Sequence, residues 1–117
     1  MNKKQKGAYG EFLARLVLRL KGYRILQKNY ITGRGVGAGE IDIIAKKGRC
    51  IVFVEVKERK TKENALYAIK PEQQKRIIRA ARNYMAKHKA YQNFDVRFDA
   101  VLVSNFCLTH IKNAWCL

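Results

Sequence analysis

Asp42, Glu55 and Lys57 are the residues of this chain whose types and spacing could do chemistry. They lie within Gly39 to Arg59, GEIDIIAKKGRCIVFVEVKER. That stretch reads as two short apolar segments, Glu40 to Ala45 and Cys50 to Val56, joined by Lys46, Lys47, Gly48 and Arg49. Segments rich in Ile and Val around a Gly-containing turn are the pattern of a β-hairpin. Strand side chains alternate between faces, so Glu40, Asp42 and Ile44 share one side of the first strand. Ile51, Phe53, Glu55 and Lys57 share one side of the second. Pairing the strands brings Asp42, Glu55 and Lys57 together. Two carboxylates in a mostly apolar sheet repel each other and lose hydration unless a cation or a shared proton compensates. A divalent metal is the simplest such cation, and an all-oxygen ligand set suits magnesium, manganese or calcium rather than zinc. The plainer alternative is a pair of strand-end acids neutralised by Lys57 or a nearby Arg, because opposite charges at i and i+2 of a strand are common. Three features weigh against it: the acids flank a turn, their strands read as buried on both faces, and a third polar residue points at the same spot.

The rest of the chain must position these groups. Lys3 to Leu20 reads as a helix, with Tyr9, Phe12, Leu13, Leu16, Val17 and Leu20 at helical spacing along the expected core face. A second side carries Gly7, Gly10, Glu11, Ala14 and Leu18. Small residues there allow close approach to a neighbour, at a propensity cost of roughly 1 kcal/mol per interior Gly. This stripe is expected to carry Glu11 against the sheet; the alternative is an exposed acid near the helix start. Lys21-Gly22 is a helix stop, and Tyr23 to Ile31 reads as a strand. The following TGRGVGAG, Thr32 to Gly39, matches neither the phosphate loop nor the dinucleotide fingerprint, so ATP and dinucleotide binding have no support. It reads as a flexible lead-in to Asp42, with Arg34 placed to touch a phosphate.

Glu58 to Lys70 is charged and irregular, and Pro71 suits the first position of a helix that runs to about Lys89. Ile77, Ile78, Ala81, Tyr84 and Met85 form its expected buried face. Lys75, Arg79 and Arg82 form a basic stripe at i, i+4 and i+7. With few acids nearby, phosphate contact is the expected role, a solvated face the alternative. Asp95 to Ser104 and Cys107 to Ile111 read as further strands. In the first, Asp95, Arg97 and Asp99 alternate with Val96, Phe98 and Ala100, the pattern of a half-exposed peripheral strand with structural acids. Trp115 is expected to cover the core edge.

A chain of 117 residues, 48% of them hydrophobic, supports one folded domain over 1–117 without staples. The net charge of +16, from 25 Lys and Arg against 9 Asp and Glu, makes a polyanion the natural partner. Nucleic acid is the default ahead of an anionic membrane. Charge alone does not explain why Glu40, Asp42, Glu55 and Glu58 gather in the central stretch. Cys50, Cys107 and Cys116 have no C-x-x-C spacing, which argues for a reducing cytoplasm and against structural zinc. Arg15 and Arg19 interrupt the first apolar run, so neither a secretory signal nor a membrane span is expected. Ser104, His88 and His110 sit in no nucleophile motif.

Asp42 followed by Glu55-Val56-Lys57 resembles the Asp…Glu-x-Lys signature of the restriction-endonuclease-like nucleases, the PD-(D/E)XK superfamily. A longer ordered set is similar to the YraN family of small bacterial proteins, predicted nucleases related to Holliday-junction resolvases. It comprises Gly10-Glu11, Gly22-Tyr23-Arg24-Ile25-Leu26, Asn29-Tyr30, Gly39-Glu40-Ile41-Asp42, and Phe53-Val54-Glu55-Val56-Lys57 with Arg59. It continues through Arg97-Phe98-Asp99 to His110-Ile111-Lys112-Asn113-Ala114, nearly the whole chain.

The resemblance implies an α/β fold with a restriction-endonuclease-like core, a mixed sheet of about four to five strands flanked by two main helices. It implies a magnesium- or manganese-dependent endonuclease that hydrolyses phosphodiester bonds in DNA, with branched DNA among its substrates. Asp42, Glu55 and the Val56 carbonyl would hold the metal, Glu11 would join them as ligand or support, and Lys57 would orient the attacking water or stabilise the transition state. Gln73 and Lys75 match the pattern at the start of this helix, where a polar residue often supports such sites; Arg34, Arg59, Gln73, Lys75, Arg79 and Arg82 are the expected nucleic-acid contacts. Symmetric cutting of two strands is usually the work of a dimer, which sets a homodimer beside the monomer. Two alternatives stand: a non-catalytic nucleic-acid-binding module that keeps the fold, and a binding protein for an acidic protein surface.

Overall fold

The Ile- and Val-rich runs form strands of one sheet in the computed structural model, which describes residues 2–33, 39–58, 69–104 and 107–116. Arg34, the rest of 34–38, and Arg59 lie outside the described residues. In chain order, helix α1 (Lys3–Leu20) is followed by β1 (Arg24–Thr32), β2 (Gly39–Lys47), β3 (Cys50–Glu58), helix α2 (Pro71–Lys87), a 3-10 turn (Lys89–Tyr91), β4 (Asp95–Ser104) and β5 (Cys107–Trp115). The sheet has five strands in the order β1-β2-β3-β4-β5. All neighbours are antiparallel except β3 and β4, which are parallel. Parallel strands need a crossover, and α2 lies in the connection between these two. The architecture is therefore the expected mixed α/β sheet with two helices. Among the described residues no helix is long and apolar enough to cross a membrane.

Alternation along β3 divides the core. Ile51 and Phe53 join Ile77, Ala80, Ala81 and Tyr84 of α2 on one face, while Val52 and Val54 join Ala14 and Leu18 of α1 on the other. On α2 the buried face includes Ala80, whereas Ile78 and Met85 are only partly buried. Gly39 permits the close seat of α2 on β2. A Cβ at that position would lie 2.7 Å from the Arg76 carbonyl oxygen and 2.8 Å from Ala80 Cβ. Gly39→Ala is accordingly expected to cost about 1–3 kcal/mol through overpacking, read as a lowered urea midpoint at unchanged m-value.

α1 is turned differently from the expectation. Tyr9, Phe12, Leu16 and Leu20 are 46%, 50%, 41% and 79% exposed, whereas Ala14 and Leu18 are fully buried. The helix sits on its small stripe: a Cβ at Gly10 would be 3.7 Å from Val103 Cγ2, ordinary contact, so the backbone itself approaches the sheet. This rotation, rather than the larger apolar ridge, aims Glu11 inward. An Asn2–Gln5 capping box closes the helix start.

β4 is also corrected: it is an interior strand between β3 and β5, buried from Phe98 to Val103, and the edge belongs to β5. Asp99 at its centre is 0% exposed and fully bonded. It accepts from Arg97 Nε and Nη2 at 2.8 Å each, from His110 Nε2 at 2.7 Å and from the Asn113 amide at 3.0 Å. Arg97 Nη2 also donates to the Tyr23 hydroxyl at 2.6 Å, and Lys21 Nζ lies 2.9 Å from His110 Nδ1. The β4–β5 register shifts between Phe98 and Ala100, and Asn113 takes a left-handed φ of 54°. That bulge brings its amide to Asp99, and Asn tolerates the conformation. Trp115 covers the core edge as expected, stacked on Phe98 at 5.6 Å.

Candidate active site

The site begins where the sheet forks. β2 and β3 pair from Lys47↔Cys50 to Ile43↔Val54 and no farther. Past that point β2 stays with β1 as far as Gly39↔Thr32, and β3 stays with β4 as far as Glu58↔Val103. The strands part at the level where Asp42 would face Glu55. Backbone groups exposed in such a gap need partners. The Val56 amide donates to Asp42 Oδ2 at 2.8 Å. The Val56 carbonyl, on the same strand edge, faces the same gap.

Asp42 serves both sides of the opening. Ile41 and Ile44 belong to the α2-side core, Ile43 and Ala45 to the α1-side core, so simple alternation breaks at Asp42. Its side chain meets Glu11 from α1 and Glu55 from β3, with hydrogen bonding to each. Asp42 is 8% and Glu55 6% exposed. Gln73 Nε2, from the first turn of α2, donates to Glu55 Oε1 at 3.2 Å, and Lys57 Nζ stands 3.8 Å from the same oxygen. The structure thus brings together Glu11, Asp42, Glu55, Val56, Lys57 and Gln73. Lys75, Arg79 and Arg82 lie apart, exposed on α2.

Electrostatics dominate this arrangement. Burial, then the charge of Asp42 and the hydrogen bond with it, push the Glu55 carboxyl from an ordinary 4.5 up to about 9, against the pull of Lys57. The same causes in the same order raise Glu11 to about 7, opposed by Arg15. Glu40, which sequence reading counted among the gathered acids but left out of the site, adds to both shifts. The signal was present: it shares a strand side with Asp42.

A carboxyl whose folded pKa exceeds its unfolded value makes the folded state bind more protons. Its contribution to stability is full below about pH 4.5 and is lost as pH rises through about 9. In EDTA the melting temperature is therefore expected to fall by about 5 °C or more between pH 5 and pH 9. Glu55→Gln should remove most of that slope. An equal slope in wild type and variant, measured by circular dichroism, would contradict the assignment.

Among the described residues no group of three or more His, Cys, Asp or Glu side chains is arranged as a ready metal site. The donor chemistry nevertheless fits a hard divalent cation: carboxylates of Glu11, Asp42 and Glu55 beside a backbone carbonyl, with Glu11 and Glu55 raised in pKa and so set to give up protons to a metal.

Comparison with known proteins gives the chain relatives. Residues 10–103 match the model of a family described as "Uncharacterised protein family UPF0102". The chain is 46% identical over 112 residues to UPF0102 protein amb4503 of Paramagnetospirillum magneticum, covering 95% of this chain and 87% of that one. UPF0102 protein bll0669 of Bradyrhizobium diazoefficiens is 46% identical over 98 residues, 84% of this chain and 71% of its own length. A UPF0102 protein of Methylocella silvestris is 44% identical over 105 residues, 90% of this chain and 82% of its own.

Proposed function

The chain belongs to the UPF0102 family, and for this member we propose a metal-dependent nuclease that hydrolyses phosphodiester bonds in DNA on a restriction-endonuclease-like core. The observation that carries this reading is the fork in the sheet, where Asp42 gathers Glu11 and Glu55 and Lys57 stands beside them. A net charge of +16 supplies the attraction for a polyanion.

Glu11, Asp42, Glu55 and the Val56 carbonyl would hold a magnesium or manganese ion, whose chemistry when bound is Lewis acidity toward the phosphate and activation of water. The chain's own groups do the rest. The Val56 amide fixes Asp42, and Gln73 fixes Glu55, so neither carboxylate turns freely. The Lys57 side chain is 23% exposed and reaches from Glu55 toward solvent. It can donate to the attacking water or to the phosphate as negative charge builds on it. Lys75, Arg79 and Arg82, with Arg34 and Arg59, are the backbone contacts of this reading. Cutting both strands of a duplex would take two copies of the chain.

The deciding assay offers labelled linear, flapped and four-way-junction DNA with magnesium, manganese or EDTA. Cutting with either metal and none in EDTA is the expected result. Salt-sensitive binding with no cutting under either metal would replace the nuclease by a non-catalytic nucleic-acid-binding module.

A further inference from the structure

A cleft of about 330 Å³ opens between the start of β2 and the first turns of α2, lined by Glu40, Lys70, Glu72, Gln73, Arg76 and Ile77. It exists because Gly39 lets α2 settle onto β2, which sets the Arg76 turn against the strand beside Glu40. Ile77, 1% exposed, gives it an apolar wall, while Glu40, Lys70, Glu72 and Arg76 are exposed at its rim. Gln73 belongs both to the cleft and to the acid cluster, through its bond to Glu55. The cleft therefore adjoins the place where a phosphate would be cut.

Its charges are opposite in sign yet unjoined. Glu72 and Arg76 are spaced i, i+4, an arrangement in which a Glu ordinarily pairs with a following cation. Among the described residues, none of Glu40, Lys70, Glu72 and Arg76 makes an ion pair. A ligand suited to this lining must bring an anion for Lys70 and Arg76 and hydrogen-bond donors for carboxylates that can only accept. A backbone phosphate alone satisfies the first demand and is repelled by the second. A nucleotide satisfies both, with its phosphate and with the amino group on its base edge. In a duplex the amino group still offers one N–H in the groove, but a cleft of about 330 Å³ has room for a single base and not for a stacked pair, so the nucleotide that enters is one out of the stack.

We propose that this cleft receives one unpaired nucleotide adjoining the cut phosphate, with Arg76 and Lys70 on the phosphate and Glu40 and Glu72 on the base edge. The position next to the cut rests on the nuclease reading; capture of the nucleotide does not. The substrate class that follows is nucleic acid containing an unpaired nucleotide. Two acceptor-only carboxylates take two donors, which the amino group of cytosine, adenine or guanine supplies, whereas thymine offers only its single imide N–H.

The test is fluorescence anisotropy of the full chain in EDTA with four labelled DNAs: a continuous duplex, and the same duplex bearing a single cytosine, thymine or abasic bulge. The cytosine bulge is expected to bind about 10-fold tighter than the duplex, with thymine weaker than cytosine and the abasic bulge near the duplex. Arg76→Ala, which removes a phosphate contact, should remove the preference for a bulged nucleotide over the continuous duplex. Its melting curve controls for folding, and Glu40→Gln, which should narrow the gap between cytosine and thymine, gives a second reading. Equal binding of all four DNAs, an abasic bulge bound as tightly as cytosine, or a preference untouched by Arg76→Ala would overturn the proposal. The same DNAs incubated with magnesium separate the two ideas. Base-selective binding without any cutting removes the nuclease and keeps the cleft, whereas cutting with flat binding removes the cleft and keeps the nuclease.

Discussion

Glu55→Gln is expected to lower magnesium-dependent cleavage by about 1000-fold while DNA binding in EDTA stays the same or tightens. The size of the loss follows from what the variant removes. Gln keeps the shape of Glu55 and can still bond Gln73, yet it contributes no negative charge toward a divalent cation, so on the proposed reading the fork would lose a charged ligand. The sign of the binding effect follows from charge: without metal Glu55 is pushed up to about 9 and is already uncharged at neutral pH, so Gln leaves binding there the same and removes a repulsion only as pH rises toward 9. Lys57→Met is the companion variant. It should lower kcat by about 100-fold with little change in KM, because a single Lys among 25 Lys and Arg adds little to overall attraction but, on the proposed reading, would act directly on the developing charge. Single-turnover cleavage beside anisotropy distinguishes these effects. Glu55→Gln cutting at more than a tenth of the wild-type rate would remove Glu55 from the chemistry. Metal should also release protons from Glu55 and Glu11, so the apparent magnesium affinity rises with pH across neutrality.

Much of this site was legible in the sequence because it rests on local rules. Hairpin alternation put Asp42, Glu55 and Lys57 together, and the small stripe on the first helix put Glu11 toward the sheet. What stayed hidden depends on contacts between distant segments. The loss of β2–β3 pairing after Ile43↔Val54 follows from each strand keeping its other neighbour, which no window of sequence contains. Periodicity favoured the larger ridge of Tyr9, Phe12, Leu16 and Leu20 as core. The helix instead turns on Gly10 and Ala14, because close backbone approach is set by how little lies between helix and sheet. β4 read as peripheral because Arg97 and Asp99 are charged. A charge can lie inside a sheet when partners surround it, and those partners, Tyr23, His110 and Asn113, come from other elements. Arg76 escaped the basic stripe of Lys75, Arg79 and Arg82 because it faces Glu40 across the cleft, a relation fixed by Gly39.

Asp99→Ala should be the most damaging single change to stability, at about 3–5 kcal/mol. Burial by itself pushes the Asp99 carboxyl up, but bonds from His110, Arg97 and Asn113 outweigh it and hold the group at about 2 rather than 3.8. A carboxylate with a depressed folded pKa stabilises the protein above its unfolded value, and that share is lost as pH falls from about 3.8 through about 2. The Ala variant loses this acid-side dependence along with its stability. Most of the cost comes from what is left behind: a guanidinium held at Tyr23, an imidazole without its acceptor and an Asn113 amide without a partner in the bulge. If so, the damage is not additive. Arg97→Met combined with Asp99→Ala should cost less than the two separate losses together, because the double variant strands no guanidinium. Urea unfolding of the four proteins at pH 7 measures the coupling. Strict additivity would mean that Arg97 and Asp99 act independently, and that β4 tolerates its buried acid through His110 and the bulge alone.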